Sequence, residues 1–177
     1  MTTLTRITHC VLVLLLGVAI VPGQSKSIEN VPTVTFCDLS KHPEIYSNKR
    51  IRVRAVYRVG FEWQEIYSLR CPDAPSTWLE FSNNIDEGPS RTQLKKMDLG
   101  NRFSISVGVV LEGRLTGYGG GYGHMNGYAL AFTADCIESA KRLDTHGFHR
   151  RALLPEDRKR IEAFESGPDR RPTKPCS

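Results

Sequence analysis

The clearest pattern in the chain is a strict alternation: Ile51, Val53, Ala55, Tyr57 and Val59 share one parity, with Arg50, Arg52, Arg54, Val56 and Arg58 on the other. A period of two puts the apolar side chains on one side of an extended backbone, so the segment predicts a half-buried strand. Gly60 interrupts it, and residues 63–69 predict a second strand that returns as a hairpin. A third strand is expected over 77–81, between Pro75 and the turn-rich 82–90, followed by a polar stretch holding Leu94 and Met97 that suits a single helical turn. Phe103, Ile105, Val107, Val109 and Leu111 repeat the alternation and predict a long fourth strand, with Gly108 and Gly113 as places for a bulge or bend. The last strand is expected over 128–137.

Two short helices flank this set. Asp38 is read as the N-cap of a helix over 39–46, with Leu39, Ile45 and Tyr46 turned inward. Pro155 starts a second helix through about residue 165, with Ile161 and Phe164 on one side. Five strands with a helix at each end predict a mainly β fold, a small five-stranded antiparallel barrel whose glycines supply the curvature that closure needs. An open sheet or sandwich is the alternative.

The chain ends have a different character. In residues 1–23 the only charge is Arg6, an apolar run extends over 11–21, and Val21 and Gly23 stand at the −3 and −1 positions of a cleavage after Gly23. That is the pattern of an export signal. The run is about half the roughly 20 residues that a membrane-spanning helix needs, so no transmembrane span is expected in the mature chain. Residues 24–33 read as a flexible lead-in, 34–140 as the β domain and 141–177 as a charged tail carrying the short second helix. The expected location is periplasmic or extracellular.

Export changes the reading of the cysteines, because thiols in an oxidising compartment tend to pair. Beyond the signal there are Cys37, Cys71, Cys136 and Cys176, which allow three pairings. Cys37 with Cys71 is favoured, since one precedes the helix leading into the first strand and the other follows the second strand back to that end. Cys136 with Cys176 then ties the tail to the last strand. No two of them have the close spacing of a zinc knuckle, and no metal is expected.

With 177 residues, 40% hydrophobic and 24% charged, the chain has room for one ordinary domain; it is too short for a two-domain enzyme and too apolar for a disordered chain. The net charge of +5 permits acidic partners without requiring them.

Candidate chemistry is sparse. The stretch GYGGGYGHMNG over 117–127 lacks both the spacing of a dinucleotide fingerprint and the lysine and hydroxyl of a phosphate loop, so no nucleotide cofactor is expected. It reads as a strand connection, or as a ligand lip in which Tyr118, Tyr122 and Tyr128 offer faces to a sugar or other ring. His42, His124, His146 and His149 do not form a metal pattern, and there is no Gly-x-Ser-x-Gly elbow. Arg50, Arg52, Arg54 and Arg58 are expected on the outer face of the first strand, repeating about every 7 Å or a multiple of it. Such a row can fork onto phosphates or carboxylates. With Trp63 and Trp78 nearby it would suit single-stranded nucleic acid in a cytoplasmic protein; export makes nucleic acid unlikely and favours an anionic envelope component. Against this, Glu62, Glu65, Glu80 and Glu112 are available to neutralise the arginines across strands.

Taken together, the segments Phe36-Cys37-Asp38-Leu39, His42-Pro43-Glu44, Tyr46, Lys49-Arg50-Ile51-Arg52-Val53-Arg54, Cys71-Pro72, Trp78-Leu79-Glu80-Phe81 and Gly123-His124 resemble a group of small exported bacterial proteins of unknown role with OB-fold-like barrels. The resemblance covers about residues 34–140 and departs at Ala55, where the pattern has glycine. It implies a fold and a compartment and supplies no activity. The expected function is an exported, non-enzymatic binding or scaffold domain for an anionic envelope component or a protein partner. The alternatives are an envelope phosphoester hydrolase, with the arginines holding the anion, and a single-stranded nucleic-acid binder.

Overall fold

The computed structural model describes residues 30–97, 106–143, 145, 153–168 and 176. The signal segment, most of the lead-in, Phe103, Ile105, His146 and His149 lie outside the described residues.

The chain runs β1 (Thr33–Thr35), α1 (Phe36–Lys41), α2 (Pro43–Tyr46), β2 (Arg50–Val59), β3 (Gln64–Tyr67), β4 (Thr77–Phe81), α3 (Gly88–Met97), β5 (Val107–Tyr122), a 3-10 turn at His124–Asn126, β6 (Tyr128–Arg142) and α4 (Pro155–Glu165). The fold is mainly β, as expected, but the sheet has six strands and is mixed. β2 is antiparallel to β3 and β5, β3 to β4, and β5 to β6; β4 and β6 run parallel, as do β1 and β2. The pairings from β2 through β3, β4, β6 and β5 return to β2. Alternation reports which face a side chain takes and is silent on strand direction. The parallel pair needs a long crossover, which α3 and β5 provide. β1 is a strand the sequence does not predict, because three residues at the boundary between the lead-in and the β domain are too few to show a period.

The amino-terminal helix starts earlier than Asp38. Thr35 is the cap: its Oγ1 accepts the Asp38 N–H at 3.0 Å and donates to the Asp38 carboxylate at 2.7 Å. The two side chains thus form a reciprocal box in which Asp38 stands in the first turn. His42 separates α1 from α2; Leu39 is fully buried and Tyr46 packs on the core, but Ile45 is exposed, contrary to expectation.

The inward parity of β2 is as the pattern requires. Ile51, Val53, Ala55 and Tyr57 join Leu39, Leu79, Val109, Leu111, Leu115, Phe132 and Ile137 in one core. The other face of β2 is not solvated. Val56 packs there with Tyr67, Leu69, Leu143 and Ile161 of α4 in a second cluster. Gly108 lets α4 approach, since a Cβ there would lie 2.7 Å from the Phe164 ring. Gly113 stands at a register shift, where a Cβ would lie 2.1 Å from the Thr133 carbonyl oxygen.

Cys37 bonds to Cys71 and Cys136 to Cys176, with Cα separations of 5.6 and 5.8 Å, within the span of a disulfide. Among the described residues no helix is long and apolar enough to cross a membrane.

Candidate functional site

The arginine row is turned into the protein. Arg50 Nη2 donates to Glu112 at 3.0 Å, Arg52 Nε donates to Glu138 at 2.7 Å, and Arg58 Nη2 pairs with Glu65. Arg54 donates to three carbonyl oxygens at the carboxy end of α4, those of Phe164 at 2.8 Å, Gly167 at 3.1 Å and Pro168 at 2.9 Å. The Arg58 guanidinium also faces the rings of Trp63 and Tyr67, 5.7 and 4.6 Å from their centroids. Side-chain exposure is 2% for Arg52 and 4% for Glu138. The outward row expected from alternation is therefore covered, because α4 packs on the outer face of β2 and carboxylates of β3, β5 and β6 reach the other guanidiniums. Of the expected partners, Glu65 and Glu112 serve. Glu62 instead faces His124, and Glu80 accepts from the Trp78 indole at 3.2 Å. Glu138 was missed, since only the irregular β5–β6 register brings it beneath Arg52.

Glu112 and Glu138 share this interior with their two arginines. Burial pushes the Glu138 carboxyl up to about 7, a hydrogen bond with Glu112 pushes the same way, and Arg52 opposes both. The native state thus holds a proton that the unfolded chain, with a carboxyl near 4.5, releases earlier. This contribution to stability is fully present below about pH 4.5 and is lost as pH rises through 7, with a slope of at most about 1.4 kcal/mol per pH unit for one proton. Urea midpoints measured between pH 5 and 7 are expected to fall with rising pH, and Glu138→Gln to flatten that fall. The ligand atoms of Glu112, Glu138 and Cys176 lie within 4.8 Å of one another. The sulfur is in a disulfide and two guanidiniums occupy the carboxylates, so the donor set suits the ion pairs, not a cation.

A second constellation lies where the β2–β3 turn, residues 60–63, meets the β5–β6 turn, residues 123–127. His124 Nε2 is 3.3 Å from Glu62 Oε2, which joins the two turns. From them Phe61 and Met125 project, each 86% exposed. Trp63 lies over Gly60 and Trp78 over Gly123, where a Cβ would meet each indole at 2.1 and 2.4 Å. Both tryptophans are half-buried, so each forms rim and neither is core. Trp78 packs against Tyr128, ring centroids 5.3 Å apart and tilted by 55°. The Tyr128 hydroxyl is pushed up to about 12, first by burial and then by the carboxylate of Glu65 to which it hydrogen-bonds.

The glycine-rich stretch continues this surface. Gly119, Gly120 and Gly121 have φ of 99°, 99° and 88°, a backbone that side chains rarely adopt. That run lets Tyr122 fold back over Gly117 and donate its hydroxyl to the Tyr118 carbonyl at 3.1 Å. Tyr118 is left 47% exposed. Of the three tyrosines nominated from the sequence, Tyr118 and Tyr122 lie on this stretch of β5 and Tyr128 opens β6, while Phe61 and Met125 are not among the residues the sequence singles out. Their signal was a large apolar side chain in a turn flanked by glycine.

Comparison with protein-family models, with curated proteins and with solved structures finds no match to this chain.

Proposed function

We propose that the chain is an exported, non-enzymatic binding domain with an OB-like barrel, and that its ligand face is the aromatic end. The order of strand pairings supports the OB-like reading. In OB-type barrels ligands lie on the second and third barrel strands and the turns joining first to second and fourth to fifth. The equivalents here are β3, β4 and the turns at 60–63 and 123–127. The observation that carries the proposal is the Glu62–His124 contact, which gathers Phe61, Trp63, Trp78 and Met125 from separate turns and strands onto one end.

Charge then selects the ligand class. Glu62, Glu65 and Glu80 stand at this end, and Arg58, its nearby cation, pairs with Glu65. Such a face suits a neutral ring-bearing ligand such as an envelope oligosaccharide, with aromatic faces giving contact area and carboxylates accepting hydroxyl protons. A polyanion would meet carboxylates there.

The test is a calorimetric and thermal-shift screen of the mature protein against envelope oligosaccharides, since a ligand that binds only the native state raises its melting temperature. Trp78→Ala and Tyr118→Ala are each expected to weaken binding about tenfold, equivalent to about 1.4 kcal/mol. Glycan binding untouched by both changes would remove the aromatic end from the proposal. Oligonucleotide binding that falls steeply with salt would replace it with the nucleic-acid reading.

A further inference from the structure

A different part of the molecule holds a cavity of about 330 Å³, lined among others by Val34, Phe36, Arg54, Ser68, Arg70 and Glu165. It lies between β1, β2, the segment after β3 and the end of α4, and it shares no residue with the aromatic end. Its volume falls in the range of small-molecule sites.

Three features of its wall specify chemistry. Glu165 is 7% exposed, and its Oε1 accepts the Leu69 N–H at 3.1 Å. Burial pushes this carboxyl above the usual range, while the Ser68 hydroxyl, the Leu69 N–H and Arg70 pull the other way. Placing an acid in such surroundings is unfavourable unless a donor or a cation answers it. Arg54 is held by the α4 carbonyl oxygens and forms a fixed wall. Arg70, by contrast, is exposed, and it also lines a neighbouring cavity of about 500 Å³ together with Cys37 and Lys41. The cavity therefore presents a buried acid, a guanidinium toward solvent, and the β1 residues Thr33 and Thr35 on the same side of the sheet as Arg54.

We propose that this cavity binds a small zwitterion of the α-amino-acid class, its ammonium on Glu165 and its carboxylate on Arg70. An ammonium gives the acid both a proton donor and a countercharge, and a carboxylate accepts the fork of an arginine. A free amine alone leaves Arg70 unanswered, and a free carboxylate alone places like charge beside Glu165.

The experiment is calorimetric titration of the mature protein with L-leucine, N-acetyl-leucine and leucinamide, repeated with Glu165→Gln, Arg70→Ala and Trp78→Ala. L-leucine is expected to bind, and each blocked derivative to bind at least tenfold more weakly. Glu165→Gln, which keeps an oxygen for the Leu69 N–H, is expected to abolish the preference for the free amine. Arg70→Ala removes an exposed side chain and is expected to abolish the preference for the free carboxylate, with the melting temperature little changed. Trp78→Ala is expected to leave leucine binding intact, which separates this site from the aromatic end. No heat with L-leucine, equal binding of the blocked derivatives, or binding indifferent to both Glu165→Gln and Arg70→Ala would each overturn the assignment. So would loss of leucine binding in Trp78→Ala.

Discussion

Arg52→Ala is expected to destabilise the fold by about 3–5 kcal/mol, the usual consequence of removing one partner from a buried ion pair. The guanidinium, 2% exposed, lies against Glu138 at 2.7 Å and reaches Thr33 of β1 at 3.4 Å. Without it, Glu112 and Glu138 face each other inside the protein with Arg50 as the nearest cation, so Glu138 keeps its proton to higher pH and the loss is largest above pH 7. The replacement also leaves a cavity and loosens β1, and both effects have the same sign. Urea unfolding of the mature protein measures the loss. The companion experiment is Arg52→Met combined with Glu138→Leu, which removes both charges and keeps most of the volume. Recovery of most of the lost stability would assign the effect to the stranded carboxylate; no recovery would assign it to the hydrogen bonds and packing that Arg52 makes across three strands.

The second large effect concerns the disulfides. The bridges close segments with sequence separations of 34 and 40 residues, and in the chain-entropy model each contributes about 4 kcal/mol. Removing either pair by serine substitution is expected to lower the urea midpoint markedly, and the two losses to differ in character. Cys37–Cys71 links α1 to the segment after β3. Cys176 lies beside Glu112 and Glu138, so losing the second bridge also admits water to the carboxyl pair. The fall of stability between pH 5 and 7 is therefore expected to flatten in Cys136→Ser/Cys176→Ser and to persist in Cys37→Ser/Cys71→Ser. Equal pH profiles in the two double variants would show that the tail does not shield Glu138.

Alternation along 51–59 correctly specifies the inner face of β2, because the apolar residues of one sheet face can be buried together only with that parity. It misleads about the outer face. Four arginines suggest solvent, and the one contrary sign is Val56, the lone apolar residue among them and the one that contacts Ile161 of α4 through the second cluster. A helix 100 residues away in sequence cannot be read from a period of two. The same limit hides Glu138. Register shifts between Val110 and Leu111 and between Glu112 and Gly113 set β6 against β5, and an irregular ladder leaves no regular spacing to count. Of the three possible pairings the favoured one is present: Cys37–Cys71 fits the return of the β2–β3 hairpin toward α1, and Cys136 and Cys176 are the pair that remains. The glycine-rich stretch, expected as a strand connection over 117–127, is strand as far as Tyr122, and only residues 123–127 turn. The grouping of its tyrosines with Phe61 and Met125 depends on an ion pair across two turns, which only the folded arrangement creates.

Three residues of β1 have an effect out of proportion to their length. One edge of β2 is covered by β5 from Arg50 to Tyr57; along the other, β3 reaches only from Val56 to Val59, and β1 takes Arg52 to Arg54. Without Thr33–Thr35 that stretch would present bare amides and carbonyls, a template onto which a strand from another molecule can add. β1 pairs with β2 alone and so becomes the open edge in its place, but at three residues it offers an incoming strand only a very short template.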